Sequence, residues 1–178
     1  MDNINIYIDA PLIEECRQGN SKAQYRLYNQ YSKAMYNLAY RMLNNREDAE
    51  DILQDTFVEC FRNLNTFRFE STFGAWLKRI LINKCINHTR KKKINLTLFD
   101  NLPADVIDDE EDNIVYETDK IFRGIEMLPD GYRIILTLYL LEGYDHSEIS
   151  QILGISESTS KSQYSRAREK LRNLIKNN

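Results

Sequence analysis

GYDHSEISQILGISESTSKSQYSRAREKL, residues 143–171, reads as two helices joined by a tight turn. Asp145 can cap the first, with Glu148 three residues on completing a capping box. Ile149, Ile152 and Leu153 give that helix one apolar face. Gly154 supplies the permissive backbone that a sharp turn needs, Ile155 fills the angle, and Ser156 can cap a second helix. In that helix Tyr164, Ala167, Leu171 and Leu174 recur at helical spacing and are expected to face inward. Lys161, Ser165, Arg168 and Arg172 recur on another face, which is basic and small. A helix-turn-helix with a cationic outer face is the shape that places a recognition helix in a DNA major groove. A basic stripe is also what an ordinary solvated helix face looks like, so the rest of the chain has to decide.

Charge distribution favours the DNA reading. The net charge of −3 over 178 residues hides a strong segmentation. Residues 71–99 carry seven basic groups and no acidic one, whereas residues 100–119 carry nine acidic groups and no basic one. Of the nine basic groups in residues 120–178, six lie between Lys161 and Lys176. Local potential, not net charge, governs attraction to phosphates. Two cationic patches separated by an acidic spacer are therefore compatible with nucleic acid.

Working outward from the C-terminal motif, residues 118–142 supply two further helices. Ile121, Phe122, Ile125 and Leu128 form one stripe. Pro129, suited to a first helical turn, opens a helix from Asp130 to Glu142 with Ile134, Ile135, Leu138 and Leu141 buried, and Gly143 ends it. Residues 118–178 thus make a compact four-helix domain. Between Ile94 and Asp119 periodicity fails; Pro103 and the run from Asp108 to Asp112 mark residues 94–117 as a polar acidic linker. Such a run is either solubilising or able to occupy a cationic channel by mimicking nucleic-acid charge.

Residues 10–93 form the other expected domain. A short helix from Pro11 to Arg17 stops at Gly19. Asn20 caps a long helix to about Leu43, whose Tyr28, Tyr31, Met35, Leu38 and Met42 follow a 3.6-residue period. Asn45 and Asp48 start the next, from Arg46 to Leu64, with Ala49, Ile52, Leu53, Phe57 and Cys60 inward. Its other surface is acidic. Helix-dipole support explains Glu47, Asp48, Glu50 and Asp51 but not Asp55 or Glu59, so a partner-facing surface is the second reading. Phe67, Phe69, Phe73 and Trp76 then lead into a helix reaching about Lys92, with Phe73, Leu77, Ile80, Leu81 and Ile86 as its core face. Lysines and arginines beside these aromatics suit single-stranded or melted nucleic acid, where bases stack on rings and cations track phosphates. Phe73 and Trp76 are assigned to the core.

Other chemistries find little support. No apolar run reaches the roughly 20 residues of a membrane span, and the first residues are not a secretory signal, so the expected location is the cytosol. Cys16, Cys60 and Cys85 are far apart and read as buried free thiols. With only two histidines in the sequence, no metal-ligand spacing emerges, and no metal or cofactor is expected. There is no phosphate-cradling glycine loop and no nucleophile motif; acidic residues alone leave a nuclease as the residual enzymatic reading.

Four stretches carry a family resemblance: DAEDILQDTF at 48–57, F-x-F-x-x-x-F-x-x-WL at 67–77, LPDGYR at 128–133 and EISQILGISESTSKSQYSRAREKL at 148–171. In this order and spacing the chain resembles the extracytoplasmic-function (ECF) sigma factors of bacterial RNA polymerase, from about Gly19 to Leu174. The resemblance implies an all-α protein of two small helical domains joined by a flexible acidic linker, and a non-enzymatic role: binding core polymerase and directing it to promoters. It implies that Asp48, Glu50, Asp51, Gln54 and Asp55 dock on the polymerase. It assigns the −10 element, opened and captured as a flipped base, to the region of Phe67, Phe69, Lys78, Arg79, Asn83, Lys84, Arg90 and Lys91, with Asn83 at the position that contacts the flipped base in relatives. The −35 element would be read by Ser158, Thr159, Lys161, Ser162, Gln163 and Arg166, with Ser165 on the same helix and Arg168 and Arg172 gripping phosphate. The linker would thread toward the polymerase's RNA exit path.

The implied partners are core RNA polymerase, duplex and melted promoter DNA, and an anti-sigma factor. The free protein is expected to be a cytoplasmic monomer without membrane insertion, joining the nucleoid when bound to polymerase. Three positions depart from the family's pattern. Ser160 stands where Val is common, which predicts less apolar packing at the turn. Gln163 stands where Arg is common, shifting preference from guanine toward adenine. Asn87 replaces a common Asp. The competing reading is a stand-alone helix-turn-helix regulator, which would bind its site tightly without polymerase.

Overall fold

The computed structural model describes residues 7–92 and 118–176, and among them the regular structure is helical throughout. The chain divides into two compact units between His88 and Thr89, within the last turn of one helix. The expected acidic linker at 94–117, together with Lys93, lies outside the described residues.

The first unit contains α1 (Ala10–Arg17), α2 (Ser21–Leu43), α3 (Arg46–Arg62), a 3-10 turn (Leu64–Thr66) and all but the last turn of α4 (Phe73–Lys92). Caps set the boundaries as the sequence predicts. The Asn20 side chain accepts from the Lys22 and Ala23 amides, and Asn45 accepts from the Asp48 amide at 3.0 Å. Asn44, at φ 52°, takes the left-handed conformation that turns α2 into α3. The two helices pack together through Leu38, Ala39 and Met42 on one and Ala49, Ile52, Leu53 and Phe57 on the other, all buried. α3 ends at Arg62, earlier than the pattern suggests, because the Leu64–Thr66 turn follows.

In α4, Phe73, Leu77, Leu81, Ile82, Cys85 and Ile86 are buried, while Ile80 is only half-buried. The core face is therefore rotated slightly from the expected one. The three thiols are buried and free, and burial pushes Cys60 and Cys85 up to about 12. Asp9, itself buried, accepts from Gln30 Nε2 at 2.7 Å and from the Tyr31 hydroxyl. Burial first, and then this carboxylate, hold the Tyr31 phenol above its ordinary value.

The second unit contains α5 (Thr118–Glu126), α6 (Asp130–Leu136), a π-helical turn (Thr137–Leu141), α7 (His146–Leu153) and α8 (Glu157–Lys176). The expected continuous helix from Asp130 to Glu142 is thus corrected: its last turn is π, with the Glu142 amide donating to the Thr137 carbonyl. Ile125, Leu128, Leu136, Ala167 and Leu171 form the aliphatic core. Gly124 packs so close to α8 that a Cβ there would meet Leu171 at 2.6 Å. Phe122 is exposed, not part of the buried stripe. Arg133, only 4% exposed, donates to the Leu128 carbonyl at 2.7 Å and pairs with Asp130. That gives the LPDGYR stretch a structural reason: its arginine closes the α5–α6 corner.

Candidate nucleic-acid interface

The recognition motif forms as the sequence predicts. The Asp145 carboxylate accepts from the Glu148 amide at 2.7 Å, and Glu148 accepts from the Asp145 amide at 2.9 Å. This closed capping box fixes the start of α7. Gly143 and Gly154 both adopt positive φ, 77° and 63°, at the two turns flanking α7. Ser156 caps α8 by accepting from the Thr159 amide at 3.0 Å. Its hydroxyl also contacts those of Ser158 (2.9 Å) and Thr159 (2.7 Å), so two expected base readers take part in the cap network.

Of the other expected α8 readers, Lys161 is exposed and Ser162, Gln163, Ser165 and Arg166 are half-buried. Lys161 Nζ lies 2.7 Å from Glu157 Oε1 one turn earlier, and this carboxylate holds the ammonium above its ordinary value. An exposed pair of this kind contributes little to stability, so the lysine can exchange Glu157 for a group on DNA. Ser162 Oγ donates to the Thr159 carbonyl at 3.1 Å. Arg168 sits over the Tyr164 ring at 5.8 Å, and Arg172 follows half-buried one turn on.

Ser160, where less apolar packing is expected, has a polar partner. Ser160 is wholly buried, and its hydroxyl lies 2.9 Å from His146 Nδ1. The polar side chain is satisfied instead of leaving a defect.

In the first unit the loop aromatics are not equivalent. Phe69 is half-buried, but Phe67 is only 3% exposed, packed 4.7 Å from Phe69, 5.3 Å from Trp76 and 5.8 Å from Phe73 between ring centroids. Phe67 therefore belongs to the core and offers no face to a base in this arrangement, which corrects the sequence assignment. Phe69 adopts φ 56°, a left-handed conformation that is costly for a bulky side chain. It is held from two sides: Tyr7 stacks on it at 5.6 Å, and the Arg17 guanidinium lies 5.4 Å from its ring. Arg17 Nη2 also donates to the Phe67 carbonyl at 2.5 Å, and Nε and Nη2 each reach the Leu64 carbonyl at 3.3 Å. Neither the role of Arg17 nor that of Tyr7 was legible from spacing, because both arise from contacts between residues far apart in the chain.

Along α4, Arg79, Asn83, Arg90 and Lys91 are exposed and Lys78 is half-buried. Lys84 is different: its Nζ lies 2.7 Å from Glu59 Oε2 on α3. It ties two helices together and partners the Glu59 charge. Asp48 is also drawn inward, its Oδ1 3.3 Å from His88 Nε2, although the alignment is not that of a hydrogen bond. Glu50, Asp51, Gln54 and Asp55 remain exposed. Beside them Val58, 55% exposed, completes a column at 51, 54, 55 and 58. This exposed apolar residue in that register is one the sequence reading did not single out. The i, i+3, i+4, i+7 spacing would have found it.

Residues 27–94 match the family described as Sigma-70 region 2, and residues 118–171 match Sigma-70, region 4. The chain is 32% identical to the ECF RNA polymerase sigma factor SigW of Bacillus subtilis, over 92% of this chain and 95% of that protein. It is 30% identical to the ECF RNA polymerase sigma-E factor of Haemophilus influenzae, over 94% and 95% respectively. Among solved structures it resembles the sigma factor RpoE of Bartonella quintana, crystallised with the anti-sigma factor NepR. That match has a TM-score of 0.58 at 23% identity and covers 85% of this chain and 96% of that one.

Proposed function

The chain belongs to the ECF sigma factors of RNA polymerase, and on that footing we propose how its residues divide the work of promoter-specific initiation. Members of this family regulate initiation without being enzymes; the polymerase performs the chemistry. The observation that carries the residue-level reading is the pairing of two surfaces in the order the family requires. The α3 column of Asp51, Gln54, Asp55 and Val58 lies in the region 2 match, and the capped, basic α8 lies in the region 4 match.

In this reading residues 10–93 bind core polymerase and the −10 element, 94–117 link, and 118–178 read the −35 element. The α3 column docks on polymerase, a small apolar anchor rimmed by charge being the usual anatomy of such a contact. Glu50 flanks that column, while Asp48 supports it from its inward position. Asn83 and the exposed cations of α4 receive the melted strand, the Phe69 ring being already held by Tyr7 and Arg17. On α8, Lys161, Gln163 and Arg166 reach base edges while Arg168 and Arg172 grip phosphate. An anti-sigma factor that masks these surfaces is the expected regulator. The cytoplasm is the expected site of action of the free monomer, and among the described residues no helix is long and apolar enough to cross a membrane.

The test is transcription from purified components: bacterial core polymerase, this protein and a library of promoter fragments, with mapped transcript starts. Core-dependent starts sharing two spaced upstream elements are expected. No starts, together with tight specific binding by the protein alone, would transfer the assignment to a stand-alone regulator.

A further inference from the structure

The α8 helix is held in two different ways along its length. Its C-terminal half rests on the aliphatic core through Ala167 and Leu171. Its N-terminal half carries the expected base readers, and its inward column there is Ser160 and Tyr164. Ser160 Oγ lies 2.9 Å from His146 Nδ1. The His146 ring, at the first position of α7, is stacked on Tyr139 of the π turn at 4.6 Å and meets the Tyr164 edge at 5.5 Å. Tyr139 and Tyr164 are themselves 4.3 Å apart. One imidazole thus joins the π turn, the start of α7 and the reading half of α8.

We propose that His146 is a positioning residue for upstream-element recognition, fixing the N-terminal half of α8 through Ser160, Tyr139 and Tyr164. The inference rests on the promoter reading above and adds to it a residue outside the DNA-facing set, together with a pH dependence. Neutral imidazole can meet the Ser160 hydroxyl as donor or acceptor. Protonation makes Nδ1 a donor only and places a charge on a half-buried ring between two phenols. The groups facing the ring are Asp145 at the start of α7, Glu157 and Lys161 on α8, and the two phenols. Burial is the main influence and Lys161 the second, both opposing the charged form; Glu157 and Asp145 favour it but do not prevail, so His146 lies below its ordinary value.

The sign follows from linkage. With the folded value depressed, the released arrangement binds more protons than the held one. The positioning is fully present above the ordinary histidine range near 6.5 and is lost as pH falls toward the folded value. Acidification should therefore loosen the reading half of α8 while leaving the aliphatic end in place.

The experiment uses the full chain bound to core polymerase, titrated with a fluorescent duplex carrying the upstream element selected in the transcription assay. A scrambled duplex of equal length corrects for non-specific binding, and the range is pH 5.5 to 8.0. The wild-type specific affinity is expected to fall severalfold toward the acid end. His146→Phe, which keeps a ring but cannot titrate or bond Ser160, is expected to bind more weakly at pH 7.5 with a flat profile. Adding Ser160→Val to it, which replaces the orphaned hydroxyl by a methyl, is expected to restore affinity and keep the profile flat. A His146→Phe chain with the wild-type profile overturns the proposal, as does a double variant no better than the single one while its far-UV circular dichroism is unchanged. A wild-type complex that binds both duplexes alike at every pH overturns the promoter reading itself, and the positioning role with it.

Discussion

The two units solve the same problem with opposite chemistry. Each holds a short segment in place with a polar side chain that lies outside that segment. In the first unit a guanidinium from α1 spans the Leu64 and Phe67 carbonyls and covers Phe69. In the second, the His146 imidazole bonds Ser160. Charge-assisted bonds to carbonyls are strong, and guanidinium groups stay charged across the accessible range. An unperturbed imidazole changes charge near physiological pH, and burial holds His146 below that ordinary value. The loop assigned to melted DNA is therefore locked, whereas the helix assigned to duplex DNA is adjustable by pH.

The largest effect expected from breaking this contrast is at Phe67. Truncating a buried aromatic costs about 3–5 kcal/mol, so Phe67→Ala should strongly lower the denaturant midpoint of the first unit. The single tryptophan, Trp76, lies in contact with Phe67 and reports that unit alone. A midpoint unchanged by Trp76 fluorescence would return Phe67 to the solvent-facing loop. Next in size is Arg17→Ala. Losing charged hydrogen bonds to the two carbonyls should cost about 1.5–3 kcal/mol and impair opening of −10 DNA, measured by permanganate reactivity of unpaired thymines. Arg17→Lys should recover only part, because an ammonium cannot span both carbonyls as a planar fork does. Neither loss should depend on pH between 6 and 8. A pH-dependent Arg17→Ala defect would erase the distinction between the units.

How much of this was legible in sequence follows the range of the interactions. Local chemistry was readable: the Asn20 and Asn45 caps, the Asp145–Glu148 box and the left-handed Gly154 each involve residues within four positions. Periodicity placed most of the core, but it rotated α4 slightly and ran α6 through as one helix. A π turn changes the register by one residue without altering residue type. The site was legible only as a set of exposed polar positions. What sequence could not supply was which charges are already committed. Lys84 to Glu59 and Arg17 to the loop carbonyls are long-range pairings, and Phe67 looks the same in sequence whether its ring faces DNA or Trp76.

The recognition helix offers a smaller effect that sharpens the comparison from the other side. Lys161→Ala should weaken upstream-element binding and lower the steepness of its log–log salt dependence by about 0.9 if the lysine meets a phosphate. A reduced affinity with an unaltered salt slope, and a changed base preference, would make it a base reader. Unaltered affinity at moderate salt would leave Lys161 paired to Glu157 and outside the interface.

The smallest expected change is a gain. Thr137, at the start of the π turn, is buried, and its hydroxyl oxygen has no hydrogen-bond partner. A buried hydroxyl forfeits its bonds to water on folding and here receives nothing in return, whereas a methyl of similar shape carries no such cost. Thr137→Val should therefore stabilise the second unit by up to about 1 kcal/mol, seen as slower hydrogen exchange at the α6 amides, with the Trp76 midpoint of the first unit unmoved. The same substitution tests the pH contrast, since Thr137 lies two residues before Tyr139. If its gain were present at pH 7.5 and absent at pH 5.5, the π turn and the His146 contact would be one cooperative element. An equal gain at both values would confine the pH response to the imidazole and the helix it holds.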